Sequence, residues 1–274
     1  MNAFGPYRAV VAARFRAHLQ YRGAALAGVL TQCFFGLVRI MIFEAFYNAS
    51  AAPPPMSHAQ MCAYVWLGQA MLAMFPWSTD ADIRELVRTG NVGYELCRPV
   101  DLYGLWWCRA LAWRTAPVLL RLVPMFLVAM VVLPLVGLGE WRLGPPPSLA
   151  AAAMWVLCTL GALLICCALT MLMNVSLLYT ISGQGISILI GALTVMFCGL
   201  VIPLPLLPGW AQRVLELLPF AGVMDLPGRV FIGHIAPAGA VRVLGLQLAW
   251  TAVLVGVGKL MLARGTHRLI IQGG

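Results

Sequence analysis

Long apolar stretches recur along the whole chain, and they fix the solvent in which it can fold. The first runs from about Ala24 to Phe46, the last from about Ala238 to Leu262. A membrane-spanning helix needs roughly 20 mostly apolar residues. The chain is 62% hydrophobic and only 10% charged, where a soluble domain carries about 25% charged residues. So few charges cannot cover a surface facing water, so lipid must take most of that role.

The expected fold is an all-α polytopic membrane protein, a single transmembrane domain over residues 1–274 with about six spans. They are read at about Ala24–Phe46, Ala59–Trp77, Thr115–Leu138 and Leu149–Asn174. A fifth follows the Ser182–Gly185 turn and reaches about Ile202; the sixth is about Ala238–Leu262. Residues 1–23 form an interfacial elbow, helical over about Asn2–Gln20, although its apolar face is not clean. Tyr103–Trp113, aromatic and interrupted by Arg109, reads as an interfacial approach to span three. A signal peptide is the rival reading of the first stretch, since Ala49-Ser50-Ala51 resembles a cleavage site. But the stretch exceeds an h-region of about 7–15 residues and contains Arg39 and Glu44.

The net charge is +9, nearly all of it arginine, with Lys259 the only lysine. The arginines cluster at the ends of apolar stretches, which points to membrane orientation and away from nucleic acid. Most lie in the N-terminal segment, in the loop after span two and in the tail. Both termini and that loop are therefore expected in the cytoplasm. The arginine-rich, lysine-poor, Ala/Gly/Pro-rich usage suggests a GC-rich bacterium, hence its inner membrane.

Several chemistries lack their residues. The eight cysteines include no CxxC pair, so they read as small apolar filler. The four histidines lie near span ends or in loops, where they cannot ligate a mid-membrane haem. A phosphate-binding loop needs GxxxxGK[ST]. Gly258-Lys259 is followed by Leu260, and Val253 stands where the first glycine belongs. Paired intramembrane carboxylates, HExxH and GxSxG are likewise missing from the sequence. No catalytic residue, metal site or bound cofactor is expected on this chain.

Residues 80–99, DADIRELVRTGNVGYELCRP, are the one dense run of mixed charge. They read as a short helix. Thr79 with Asp82 fits a capping box, and Gly90 stands at the C′ position. Ile83, Leu86 and Val87 make an apolar face; Arg84, Glu85 and Arg88 lie mostly opposite. A helix of about two turns is marginal alone, so membrane or partner must hold it. An ordinary amphipathic connector is the plain alternative.

A second segment, 203–237, is punctuated by Pro and Gly. Pro208-Gly209 and Pro219 bound a helix with Trp210, Val214, Leu217 and Leu218 on one side and Gln212, Arg213 and Glu216 on the other. A re-entrant or interfacial hairpin between spans five and six fits it, with a simple outer loop as the alternative. Within span one, Arg39 and Glu44 lie about 140° apart on the helix. Arg39 is therefore expected to pair across a helix–helix contact or to snorkel.

Together these features resemble the membrane subunit of a type-2 ATP-binding-cassette exporter. Arg84–Tyr103, RELVRTGNVGYELCRPVDLY, is similar to that family's charged stretch after span two. Ile202–Phe220 is similar to its Pro-rich approach to the external helices, and the terminal IIQGG resembles one bacterial subgroup. The resemblance implies a coupling helix formed by Asp82, Ile83, Arg84, Glu85, Leu86, Val87, Arg88 and Gly90. Its partner would be a separate nucleotide-binding ATPase, which carries the ATP and Mg. A second permease chain, identical or different, would complete the pathway. Spans one, two and five would line it, offering Arg39, Gln184, Ser187 and Thr194. An ATPase-independent secondary transporter would instead need ion-coupling residues or inverted repeats, and neither is evident. A membrane scaffold is the third reading.

Overall fold

The computed structural model describes residues 4–20, 22–49, 53–180 and 182–267. Among them all regular structure is helical. In chain order the α-helices are α1 (Gly5–Leu19), α2 (Arg22–Ala49), α3 (His58–Met71), α4 (Ala81–Arg88), α5 (Val92–Leu96), α6 (Leu102–Leu135), α7 (Leu149–Ser176), α8 (Gln184–Phe197), α9 (Gly209–Glu216), α10 (Asp225–Phe231) and α11 (Pro237–Thr266). Four of these, α2, α6, α7 and α11, are long and apolar enough to cross a membrane. The tail residues Ile270–Gly274, with their IIQGG motif, lie outside the described residues, as does Ser50.

Burial separates two central helices from a peripheral shell. Every residue of α3 from Met61 to Met71 is buried, and α7 is buried along most of its second half. A helix that is apolar all round belongs inside a bundle. In contrast, α2 exposes Leu26, Leu30, Phe34 and Phe35, and α11 exposes Val241, Leu248, Val253 and Leu260. Apolar belts on that scale are a liability in water and natural in lipid. Close approach is achieved where side chains vanish: Trp66 of α3 lies against Gly36 of α2, and a Cβ at Gly36 would meet its ring at 2.8 Å.

The expected spans need three corrections. Span two is a helix of 14 residues with one 3-10 turn, Leu72–Met74, after it. Pro76 follows and cannot continue a helix. Span three starts far earlier than Thr115. Asp101 caps α6 by accepting from the Gly104 amide at 2.6 Å, so Tyr103–Trp113 lies within the helix. That helix tolerates Pro117 and Pro124 and passes through a π turn at Val128–Val132, which absorbs lost backbone pairing. Span five ends at Phe197, before Gly199, whose φ of +82° suits only glycine well.

Candidate functional site

The charged segment folds as α4 and α5. Asp80, not Thr79, caps α4: its carboxylate accepts from the amides of Asp82 at 2.9 Å and Ile83 at 3.3 Å. Thr79 takes another role, since its hydroxyl oxygen accepts from Arg84. Gly90 does stand at C′, with φ +75°, and its amide donates to the Val87 carbonyl at 3.3 Å. Ile83 is fully buried, and Leu86 and Val87 are partly buried in the same cluster with Val92, Leu102 and Trp106. Arg84, Glu85 and Arg88 face outward. Arg88 holds Glu85 through two hydrogen bonds of 2.9 and 2.6 Å, and this contact keeps the Glu85 carboxyl below its ordinary pKa.

What anchors α4 is a buried charge cluster that sequence reasoning missed. Arg109, only 6% exposed, reaches Asp80 at 3.1 Å, Asp82 at 3.2 Å and Glu95 at 3.6 Å. Trp106 donates its indole N–H to Glu95 at 2.7 Å. From α1, Arg14 reaches Asp82 at 2.5 Å. That hydrogen bond holds the Asp82 carboxyl below the usual range, with further attraction from Arg109. The Asp80 amide donates to the Asn174 side chain at the end of α7 at 2.9 Å. One turn thus joins α1, α4, α5, α6 and α7.

A second buried arginine ties the approach to α4. Arg114 donates to the carbonyls of Phe75 at 2.7 Å and Ser78 at 3.2 Å and to the Thr170 hydroxyl at 3.0 Å. The connection leaving α3 is therefore clamped to α6 and α7. The available signal was the spacing of Arg109 and Arg114 within an otherwise apolar aromatic helix, opposite three acids. Such charge must face protein partners.

Away from this anchor, α4 and α5 present an exposed surface. Tyr94 is 76% exposed, and Leu96, Arg88 and Thr89 are exposed as well. Exposed aromatic and arginine side chains around a rigid core are what protein–protein hot spots are made from.

The opposite end of the bundle carries α9 and α10. Trp210, Val214 and Leu217 are exposed on one side of α9, with Leu218 half-buried. All seven residues of α10 are buried. Asp225 accepts from the Tyr64 hydroxyl at 2.6 Å and the Leu204 amide at 3.2 Å. Arg229 bridges Asp225 and Glu216, and Gln247 of α11 donates to the carbonyls of Cys158 and Gly222.

The residues expected along a pathway are not joined by hydrogen bonds to one another. Arg39 donates to the Val201 carbonyl at 3.4 Å. Ser187 and Thr194 are buried, and their hydroxyls donate to carbonyls one turn back in their own helix. Gln184 is exposed at the start of α8. Glu44 lies 4.0 Å from His58, not near Arg39.

No curated protein matches the chain, and no solved structure does. Residues 36–273 match the family model described as ABC-2 family transporter protein. The match runs from the middle of α2 through the charged segment and beyond α11, and it includes Asp80, Asp82, Glu95, Arg109 and Arg114. A multi-pass membrane permease component is thus what these helices form, and the chain belongs to the ABC-2 transporter family.

Proposed function

We propose that this chain is the permease half of an ATP-driven exporter, with α4–α5 as the element that docks on a separate ATPase. One observation carries the reading. A short helix with an exposed outer face is fixed to three helices: to α6 by the buried Arg109–Asp80 pair, to α1 by Arg14–Asp82 and to α7 by the Asp80–Asn174 hydrogen bond. A lever must be stiff toward the bundle and available toward its partner, and α4 is both. ATP and Mg bind on the partner. ATP closing the ATPase dimer moves α4 with α6 and α7 as one body. It drives transport only as far as it favours one bundle state over the other.

In this reading the chain is one transmembrane domain of six crossings. The four long helices make four. The α3 helix with its 3-10 turn, about 27 Å long, and α8, about 21 Å, make the short ones. The hydrocarbon core is about 30 Å thick, and burial of α3 within protein accommodates the shortfall. The α1 helix is the interfacial elbow, and α9–α10 are an external hairpin capping the pathway. The arginine distribution supports cytoplasmic termini and a cytoplasmic α4, in a bacterial inner membrane. A second permease chain completes the assembly.

The test is co-expression with the cognate ATPase, wild type against Glu85→Arg. Among the described residues the Glu85 side chain pairs only with Arg88, so the variant should reach the membrane in normal amounts. Wild type should co-purify with the ATPase and show vanadate-sensitive hydrolysis. The variant should lose the complex or uncouple hydrolysis from transport. Unchanged transport by Glu85→Arg reduces α4 to a connector.

A further inference from the structure

The face of α2 that carries Arg39 holds a second set of polar groups with no partner. Arg121 of α6 lies across Gly28, so close that a Cβ there would sit 2.6 Å from its Cζ. Among the described residues Arg121 makes no hydrogen bond or ion pair, and its Nε is buried without a partner. One turn above Gly28, Gln32 is 3% exposed, and among the described residues neither its amide nitrogen nor its oxygen has a partner. Cys33 contacts Met125, one turn above Arg121, so Gln32 borders the same α2–α6 seam. Arg39 follows with one long bond to a carbonyl.

These positions are aligned. At 100° per residue Gly28, Gln32 and Arg39 fall within about 40° of one another, over a rise of about 16 Å. Phe35, exposed, falls on the same face, about 20° from Gly28. Buried polar groups are normally paired, and each exception asks for a cause. An intramembrane arginine without an acid is a functional site by default. Here the donors are two half-buried guanidinium groups with a buried carboxamide between them.

We infer that this face of α2 binds the anionic headgroup of an amphiphile, with Arg121 and Gln32 as the inner site and Arg39 the outer. A phosphate or carboxylate satisfies the fork of Arg121 and pairs with the Gln32 amide, while the chains lie against Phe35. The binding step stands on this geometry alone. The further step, that such an acidic amphiphile is the exported cargo, rests on the permease reading above.

The purified full chain in mixed micelles of phosphatidylglycerol and phosphatidylcholine tests binding, with retained lipid counted by native mass spectrometry. Wild type should retain phosphatidylglycerol in preference. Arg121→Gln should lower that retention on the order of tenfold, the value of one charge-assisted hydrogen bond. Gln32→Leu should lower it too while folding at least as stably, because it removes an unpaired buried amide. Arg213→Gln, exposed on α9, should leave it unchanged. Equal retention of both lipids, an unaffected Arg121→Gln, or an Arg213→Gln loss of the same size overturns the site. Displacement by glycerol phosphate at matched concentration would make it a free-anion site and overturn the amphiphile. In the assembled ATPase complex phosphatidylglycerol should stimulate hydrolysis in wild type and not in Arg121→Gln. An intact complex without stimulation overturns the cargo step only, whereas failure to assemble bears on the permease reading and leaves lipid retention standing.

Discussion

Arg109 is the residue on which the α4 seat depends. Three carboxylates converge on it, and two of them, Asp80 and Glu95, are themselves largely buried. A buried ion pair is not worth much net against an apolar replacement, but removing one partner alone leaves a buried charge uncompensated. Asp80→Ala removes the closest partner and also the cap of α4. It should destabilise the chain by about 2.5–4 kcal/mol, about 1 from the cap and the rest from the charge-assisted bonds to Arg109, short of the cost of a lone buried charge because Asp82 and Glu95 still face Arg109; the readout is a fall in the melting temperature of the detergent-purified protein. Arg88→Ala, whose only partner is the exposed Glu85, should leave the melting temperature unchanged. Equal melting of both variants would mean that the Arg109 cluster does not hold α4. The cluster was hard to read from sequence because its pairs are 27 and 29 residues apart. Asp80 and Asp82 looked like helix-start residues, which they are, and Arg109 looked like an interfacial anchor, which it is not.

At the scale of elements, α4 and α5 work as one surface. The ends and faces of α4 were legible because they are local: an acid at the start, Gly90 at the end, and Ile83, Leu86 and Val87 on one side. The short α5 was not, because five residues carry too little periodicity to separate helix from loop. Yet α5 contributes Tyr94, the one aromatic of the charged segment, 76% exposed. If the pair docks on an ATPase, Tyr94 should be an anchor, since aromatics dominate interface energetics. Tyr94→Ala should weaken ATPase association about 30-fold, the equivalent of about 2 kcal/mol, with no change in permease abundance. Titration of the purified ATPase onto nanodisc-held permease measures it, and an affinity within twofold of wild type moves the docking surface off α5. The same locality explains α9, whose Trp210 and Val214 face was visible from its prolines. It also explains why α10 was missed: its fully buried Asp225 is held by Tyr64, 161 residues away.

For the whole molecule the open quantity is direction, and the native cysteines report it. All eight are free thiols. Cys97 alone is exposed, at the end of α5, while Cys33 and Cys108 are half-buried and the other five buried. A membrane-impermeant maleimide should therefore label the wild-type chain mainly at Cys97. With α4 and α5 in the cytoplasm, intact cells should show no labelling, and inverted vesicles should show labelling that Cys97→Ser abolishes. In a chain lacking native cysteines, Pro145→Cys, exposed on the loop between α6 and α7, should react from outside. Assembly with the ATPase should then slow labelling of Cys97 in inverted vesicles, because Cys97 directly follows the α5 surface that would be covered. Labelling of Cys97 in intact cells would invert the topology and remove α4 from any cytoplasmic partner. Unslowed labelling in the assembled complex would keep the topology and confine the docking face to α4, where Arg84, Glu85 and Arg88 point away from the bundle.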